Sequence, residues 1–212
     1  MSTKKEEIVA VALKLFNEQG IDAVKTRDIA KAAGMRLGNL TYYFPTKNDI
    51  VFALVQEAGK AIDEALTRNA VNPEKNILIL YYRQVETIFK THLKYRFLFG
   101  RWGEITSSNP QIQKFAQEFL KVRFDSWKGL HEQLVKEKFA SSALVVDSFA
   151  HSYVINILAL FWHQEFLMYF PELTDKQKVQ KALAIFFQSY KPYLTKKGLN
   201  ELNPLLEKLG HY

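Results

Sequence analysis

The sequence predicts an all-α protein with a small amino-terminal three-helix unit and a larger helical domain behind it. Three features carry that expectation. Apolar residues recur at the three- and four-residue intervals of a helix with one buried face through nearly every segment. Caps and breakers punctuate those segments at helical lengths, among them Thr3-x-x-Glu6, Gly20, Gly34, Pro45, Asn109-Pro110 and Thr174-x-x-Gln177. Between the first of these, the stretch from Thr26 to Lys47 reads as two short helices joined by a tight turn.

The first helix opens on the Thr3/Glu6 capping box, carries Ile8, Val9, Ala12, Leu13, Leu15 and Phe16 at helical intervals, and ends at Gly20. The Thr26 hydroxyl suits the start of the second, which puts Ile29, Ala30 and Ala33 on one face. Gly34 supplies the left-handed backbone of a three- to four-residue turn, and Met35 re-enters the core. The third helix spans Leu37 to Phe44, points Leu40, Tyr43 and Phe44 inward, and stops at Pro45. Ala30 is the small side chain that a steep helix crossing needs. This is the spacing of a DNA-binding helix-turn-helix, in which the later helix enters the major groove and the earlier one crosses the phosphate backbone. The exposed side chains would be Arg36, Leu37, Asn39, Thr41 and Tyr42. A fourth helix starts at Thr46-x-x-Asp49 and runs through Val51, Leu54, Val55, Ala58, Ile62 and Leu66. The domain boundary falls within or just after it, with residues 1–50 assigned to the DNA-binding domain and 51–212 to the second domain.

In the second domain Asn72-Pro73-Glu74 reads as a helix start, followed over residues 74–99 by the stripe Ile77, Leu78, Tyr81, Val85, Ile88, Phe89 and Leu93. Gly100 and Gly103 loosen the chain. Ser108-Asn109-Pro110 begins a helix bearing Phe115, Phe119, Val122, Trp127, Leu130 and Leu134 and ending near Phe139. Ser141 or Ser142 caps the next, apolar nearly all round from Leu144 to Phe170, which calls for burial at the centre or against a second subunit. Thr174-x-x-Gln177 opens a helix with Val179, Leu183, Phe186, Phe187 and Tyr190 on one side; Pro192 and Gly198 disturb or end it, and a short helix from Glu201 to Leu209 completes the chain.

With 48% hydrophobic and 14% aromatic residues, the 212-residue chain has ample material for a core, so disorder is excluded. A formal charge of +7 favours anionic partners. Residues 1–50 hold eight Lys/Arg against six Asp/Glu, so most of the excess lies elsewhere and charge alone decides little. With no cysteine, neither a disulfide nor a thiolate metal site can form. The opening residues carry acids and lack the long apolar stretch of a signal peptide, and a cytoplasmic location is expected. Asn156, His163, Gln164 and Glu165 interrupt the apolar run from Tyr153 to Phe170, which suits a buried helix rather than a membrane span. His131-Glu132 lacks the second histidine of a zinc-protease motif, His151 and His163 lie too far apart to share a turn, and there is no phosphate loop or nucleophile elbow. No catalytic residue, metal or cofactor is therefore expected.

Residues 8–55 resemble the amino-terminal domain of TetR/AcrR-type transcriptional regulators. The resemblance rests on several features in order: Leu15-Phe16 before Gly20, Arg27-Asp28-Ile29-Ala30, Ala33-Gly34, Gly38-x-Leu40, and Tyr43-Phe44-Pro45 followed by Lys47. Arg36, Leu37 and Thr41 depart from the family's commonest residues, so individual DNA specificity should be sought there. Arg36, Asn39, Thr41 and Tyr42 are the candidates for base-edge or nearby backbone contact; Thr26, Arg27, Tyr42, Tyr43 and Lys47 suit phosphates. Tyr43 serves equally well as a core residue. Gly38 either lets the helix approach DNA closely or is a small residue beside the turn.

The resemblance also implies an apolar effector pocket among the helices of the second domain. Candidates to line it are Phe97, Trp102, Phe119, Trp127, Tyr153, Trp162 and Phe166, with His131, Asn156 and His163 as orienting polar groups. Aromatics at helical spacing ordinarily fill a core, so that alternative stays open. The expected partners are a double-stranded DNA operator, a hydrophobic small molecule and a second copy of the chain paired through residues 142–170 and 174–191, with no membrane. The leading expectation is thus a ligand-responsive dimeric repressor on a palindromic operator. A helical adaptor acting through a protein partner, or a small-molecule-binding or catalytic helical protein, are the alternatives, and salt-sensitive binding to a specific duplex separates them.

Overall fold

The computed structural model describes residues 3–68 and 76–209. Among these residues the chain forms helices and no strand, with one isolated bridge between Ala140 and Leu194. No helix among them is long and apolar enough to cross a membrane.

Helix α1 (Lys4–Gln19) opens on the expected capping box: the Thr3 hydroxyl accepts the Glu6 N–H at 3.3 Å and the Glu6 carboxylate accepts the Thr3 N–H at 2.8 Å. It closes at Gly20, at φ 81°, whose N–H reaches the Phe16 carbonyl at 3.0 Å. Helix α2 (Thr26–Ala32) starts differently from the sequence expectation. Lys25 is the extended residue ahead of it, because the Asp28 carboxylate takes the Lys25 N–H at 2.9 Å, so Thr26 already lies inside the first turn and does not cap. The turn to α3 (Leu37–Tyr43) is a Schellman motif: Gly34 sits at φ 63°, its N–H bonds Lys31 O at 3.1 Å, and the Met35 N–H reaches back to Ala30 O at 3.0 Å. Only a glycine adopts that backbone without strain.

Helix α4 (Lys47–Arg68) begins at the Thr46/Asp49 box. Ile8, Phe16, Ile29, Leu40, Ile50 and Leu54 are fully buried and make one core of α1–α4. That core continues into α6 (Arg96–Phe99), α7 (Trp102–Ser108) and the start of α8 (Pro110–Lys136) through Phe97, Leu98, Ile105 and Ile112.

Helix α5 (Ile77–Lys94) is capped by Asn76, which accepts the Leu78 N–H at 3.0 Å; the expected start at Asn72-Pro73-Glu74 lies outside the described residues. The run expected to reach residue 99 breaks at Tyr95. Asn17 of α1 sits at the break, donating to the Lys94 carbonyl at 2.9 Å and accepting the Phe97 N–H at 3.1 Å. A side chain from a distant helix thus satisfies the backbone groups that the break exposes.

Helix α8 starts as expected on Asn109 and Pro110. The apolar helix expected from Leu144 is divided at Asp147 into α9 (Ala143–Val146) and α10 (Ser148–Tyr169). Helix α11 (Asp175–Gln188) carries the Thr174/Gln177 box, and α12 (Lys196–Glu207) starts at Lys196 rather than Glu201 because the Thr195 hydroxyl accepts the Gly198 N–H at 3.2 Å. Gly198 is therefore no terminator. It lies in the first turn of α12, where any Cβ would collide with the Phe139 carbonyl. A second core joins α5, α8, α10, α11 and α12 through Leu78, Tyr81, Phe89, Leu134, Ile155, Leu183, Phe187 and Leu202.

Candidate nucleic-acid interface and effector cavity

Helix α3 is held by a single fully buried anchor, Leu40, with Phe44 buried just beyond its end. With that side fixed, Arg36, Leu37, Gly38, Asn39 and Tyr42 face outward, Tyr42 at 83% exposure. Arg36 is the extended residue before the helix, and its carbonyl accepts the Asn39 N–H at 3.0 Å, which sets both side chains at the exposed amino end. Thr41 is half-buried and its hydroxyl donates to the Gly38 carbonyl at 3.1 Å. Gly38 has no left-handed backbone, and a Cβ there would meet nothing within 4 Å. Neither the turn nor the packing requires a glycine at this position.

Around α3, Arg27 is exposed, Thr26 half-buried, and Tyr43 half-buried with its ring edge-on to Tyr42 at 5.3 Å. Lys47 is committed inward: its ammonium donates to the carbonyls of Ile21 at 2.8 Å and Val24 at 3.2 Å. It ties the loop before α2 to the start of α4.

The second site is a cavity of about 290 Å³ between α4 and α8, lined also by residues of α5, α6, α7 and α10. Four of the ten sequence candidates line it: Trp102, Phe119, Trp127 and Asn156. The other six are elsewhere. Phe97 packs on Phe16 at 5.2 Å in the amino-terminal core, Tyr153 is half exposed on α10, and Trp162 and Phe166 pack against each other at 5.8 Å in the second core. His163 is buried beside Trp162, with its ring 5.5 Å away. His131 belongs to a polar network: one ring nitrogen pairs with the Ser148 hydroxyl at 2.8 Å and the other with the Tyr190 hydroxyl at 3.1 Å, which in turn pairs with Tyr81 at 2.6 Å. Burial, reinforced by His151, lowers the His131 pKa to about 4 and raises those of Tyr81 and Tyr190, so the network is neutral near pH 7.

Sequence reasoning missed the α4 wall of the cavity (Val55, Ala58, Gly59, Ile62), His92 and Arg123. Gly59 is where α8 comes close: a Cβ would stand 3.1 Å from the Phe115 ring. His92 is buried with its ring 3.9 Å from that of Phe99; burial pushes its pKa down to about 3, and its Nδ1 finds no hydrogen-bond partner among the described residues. Arg123 is 7% exposed, stacks its guanidinium 4.7 Å from the Phe119 ring and pairs one nitrogen with Asp63 of α4. A readable signal did exist: Phe115, Phe119, Arg123 and Trp127 recur every four residues, placing a cation within an aromatic stripe on one face of α8.

An exposed recognition helix on a short helical hairpin, backed by a helical body with an apolar cavity, defines a helix-turn-helix DNA-binding regulator. Residues 8–54 match the model of bacterial regulatory proteins of the tetR family, and residues 60–202 match that of a bacterial transcriptional repressor, also named TetR. The chain belongs to the TetR family of bacterial transcriptional regulators. It is similar to the HTH-type transcriptional dual regulator CecR of Shigella flexneri, 37% identical over 71 residues that cover 34% of this chain and 31% of that one. The similarity to such curated relatives thus spans about a third of their length. Among solved structures, a TetR-family regulator of Marinobacter aquaeolei VT8 superimposes with a TM-score of 0.86 at 23% identity, covering 99% of each chain. The ketosteroid transcriptional regulator KstR2 of Mycobacterium tuberculosis superimposes with a TM-score of 0.69 at 19% identity, over 92% of this chain and 97% of that one. At these identities the two structures speak for the fold.

Proposed function

We propose that this protein is a homodimeric, ligand-responsive repressor in the cytoplasm, not an enzyme, that binds a palindromic operator and leaves it when a hydrophobic small molecule enters the α4–α8 cavity. Residues 1–50 are the reading unit and 51–212 the sensing and dimerising unit. The observation that carries this reading is the double use of α4: Ile50 and Leu54 are buried in the helix-turn-helix core, while Val55, Ala58, Gly59 and Ile62 of the same helix form a cavity wall. A ligand that favours a different seating of α4 therefore favours a different seating of α3, and DNA affinity falls by the ligand's differential affinity for the two arrangements.

Arg36 and Asn39 are the base-reading residues, suited by chemistry to guanine and adenine respectively. Gly38, with open space around its absent Cβ, lets the helix approach the groove, and Leu37, Thr41 and Tyr42 line the remainder of the contact. Thr26, Arg27 and Tyr43 face phosphates, and Lys47 contributes charge while bracing the loop before α2. Dimerisation is supported by the exposed apolar stripe Phe149, Tyr153, Ile157 and Phe161 on α10, with Ile185 on α11, a patch that a soluble monomer rarely leaves uncovered. Two-fold symmetry then calls for half-sites about 34–36 Å apart.

Selection of bound sequences from random duplexes tests the proposal. A palindromic consensus should emerge, with binding that weakens steeply with salt and is lost in Arg36→Ala and Asn39→Ala while helicity is retained. Absence of any preference over random duplex at moderate salt would overturn it.

A further inference from the structure

Arg123 is a buried charged side chain that DNA contact, the apolar face of α10 and the network around Tyr190 all leave unused. Its guanidinium lies on the cavity wall between Phe119 and Trp127, in a residue 7% exposed. Of its three nitrogens, Nη2 pairs with Asp63, while Nε and Nη1 are buried and have no hydrogen-bond partner among the described residues. Buried donors on a charged group are costly to leave unpaired, so such atoms call for an acceptor. Asp63 does not fill that role, because its side chain is half exposed and engages only one nitrogen.

The surroundings select the kind of acceptor. Among the described residues Arg123 is the one lining the cavity with a full charge, since no described Asp or Glu lines it and His92 is held neutral by burial. The Asp63 carboxylate that pairs with Arg123 is half exposed and screened by water, so the guanidinium can still balance a singly charged group, whereas a phosphate dianion would bring a larger uncompensated charge into apolar surroundings. The remaining walls, including Ile62, Phe115, Phe119 and Leu160, suit a hydrocarbon or aromatic body. Nη1 keeps N–H donors without a partner among the described residues, and a carboxylate oxygen is a charge-matched acceptor for them.

We propose that the effector is an apolar carboxylic acid, bound as its carboxylate by Arg123 with its apolar body between α4 and α8. The proposal rests on reading the cavity as the effector site. The experiment uses the full chain and two probes of equal length, decanoate and decan-1-ol, titrated by calorimetry and by the fluorescence of the cavity tryptophans Trp102 and Trp127. Wild type should bind decanoate at least about tenfold more tightly than decanol. In Arg123→Met, which keeps an apolar stem, that preference should vanish while decanol affinity stays within about threefold. Should Arg123→Met fail to fold, Arg123→Lys takes its place and should lower the preference at least about threefold. Decanol binding as tightly as decanoate to wild type would overturn the carboxylate and leave the pocket standing. A folded Arg123 variant that kept the full preference would overturn the role of Arg123. Binding of neither probe at millimolar concentration would overturn the pocket reading and this proposal with it.

Discussion

Two polar interiors lie within the same helical body and are built on opposite terms. Around Tyr190, the Tyr81 and Tyr190 hydroxyls, both His131 nitrogens and the Ser148 hydroxyl find partners inside the protein, His151 Nδ1 beside them being the exception among the described residues. Around the α4–α8 cavity, two Arg123 nitrogens and His92 Nδ1 find none among the described residues. Polar atoms that satisfy one another hold a fold together, and atoms left without partners beside a cavity mark where the fold gives up stability for binding. Histidine and tyrosine in the first region, and arginine in the second, are all buried, so burial alone would not tell them apart.

The largest test of this contrast is acid. His131 and His92 have folded-state pKa values of about 4 and about 3, below the usual 6.5, because burial disfavours the imidazolium. The unfolded chain takes up protons near pH 6.5 that the folded chain refuses until lower pH. The stability is therefore complete above pH 6.5 and is lost as pH falls from there toward about 4 and then 3, on the order of 3 kcal/mol for His131 and roughly 5 kcal/mol for His92. Urea unfolding across that range should show the decline; a flat profile would break the account of both interiors.

His131→Ala should cost about 3 kcal/mol, because it opens a void, strands the Ser148 hydroxyl and removes one partner of Tyr190, while leaving probe binding in the cavity unchanged. Arg123→Met should cost less than about 1 kcal/mol, since the Asp63 it leaves behind is half exposed. Equal costs in urea unfolding would erase the distinction between the regions. Gly38→Ala carries the contrast to the surface: the methyl group meets nothing within 4 Å and should stabilise α3 by about 0.5–1 kcal/mol, yet weaken operator binding about tenfold in an anisotropy titration. The smallest effect belongs to Lys138, a non-glycine residue at φ 61° closing α8. Lys138→Gly should raise stability by less than about 1 kcal/mol and alter neither DNA nor probe binding, showing that a locally costly residue remote from both sites has no functional counterpart.

The amino-terminal third was legible in the sequence because its determinants act within a few residues. The Thr3/Glu6 box, Gly20, the Gly34 turn and the Thr46/Asp49 box each operate inside one turn of helix. Thr26 was misplaced by one residue because the Asp28 carboxylate competes as the cap. The break at Tyr95 was invisible because the side chain that satisfies it, Asn17, comes from α1. The cavity was half legible for the same reason: Trp102, Phe119, Trp127 and Asn156 announce themselves as aromatic or polar residues in an apolar domain, while the α4 wall looks like ordinary core and His131 resembles a ligand residue until its partners are seen.

The central claim, that α4 couples the cavity to α3, is tested most directly by reciprocity. Decanoate affinity should be measured by calorimetry on the free protein and again with a saturating concentration of its selected operator duplex, and duplex affinity with and without saturating decanoate. The account predicts that each ligand weakens the other by the same factor, at least about tenfold, as linkage requires. Tight decanoate binding with identical affinity in the presence and absence of DNA would contradict it.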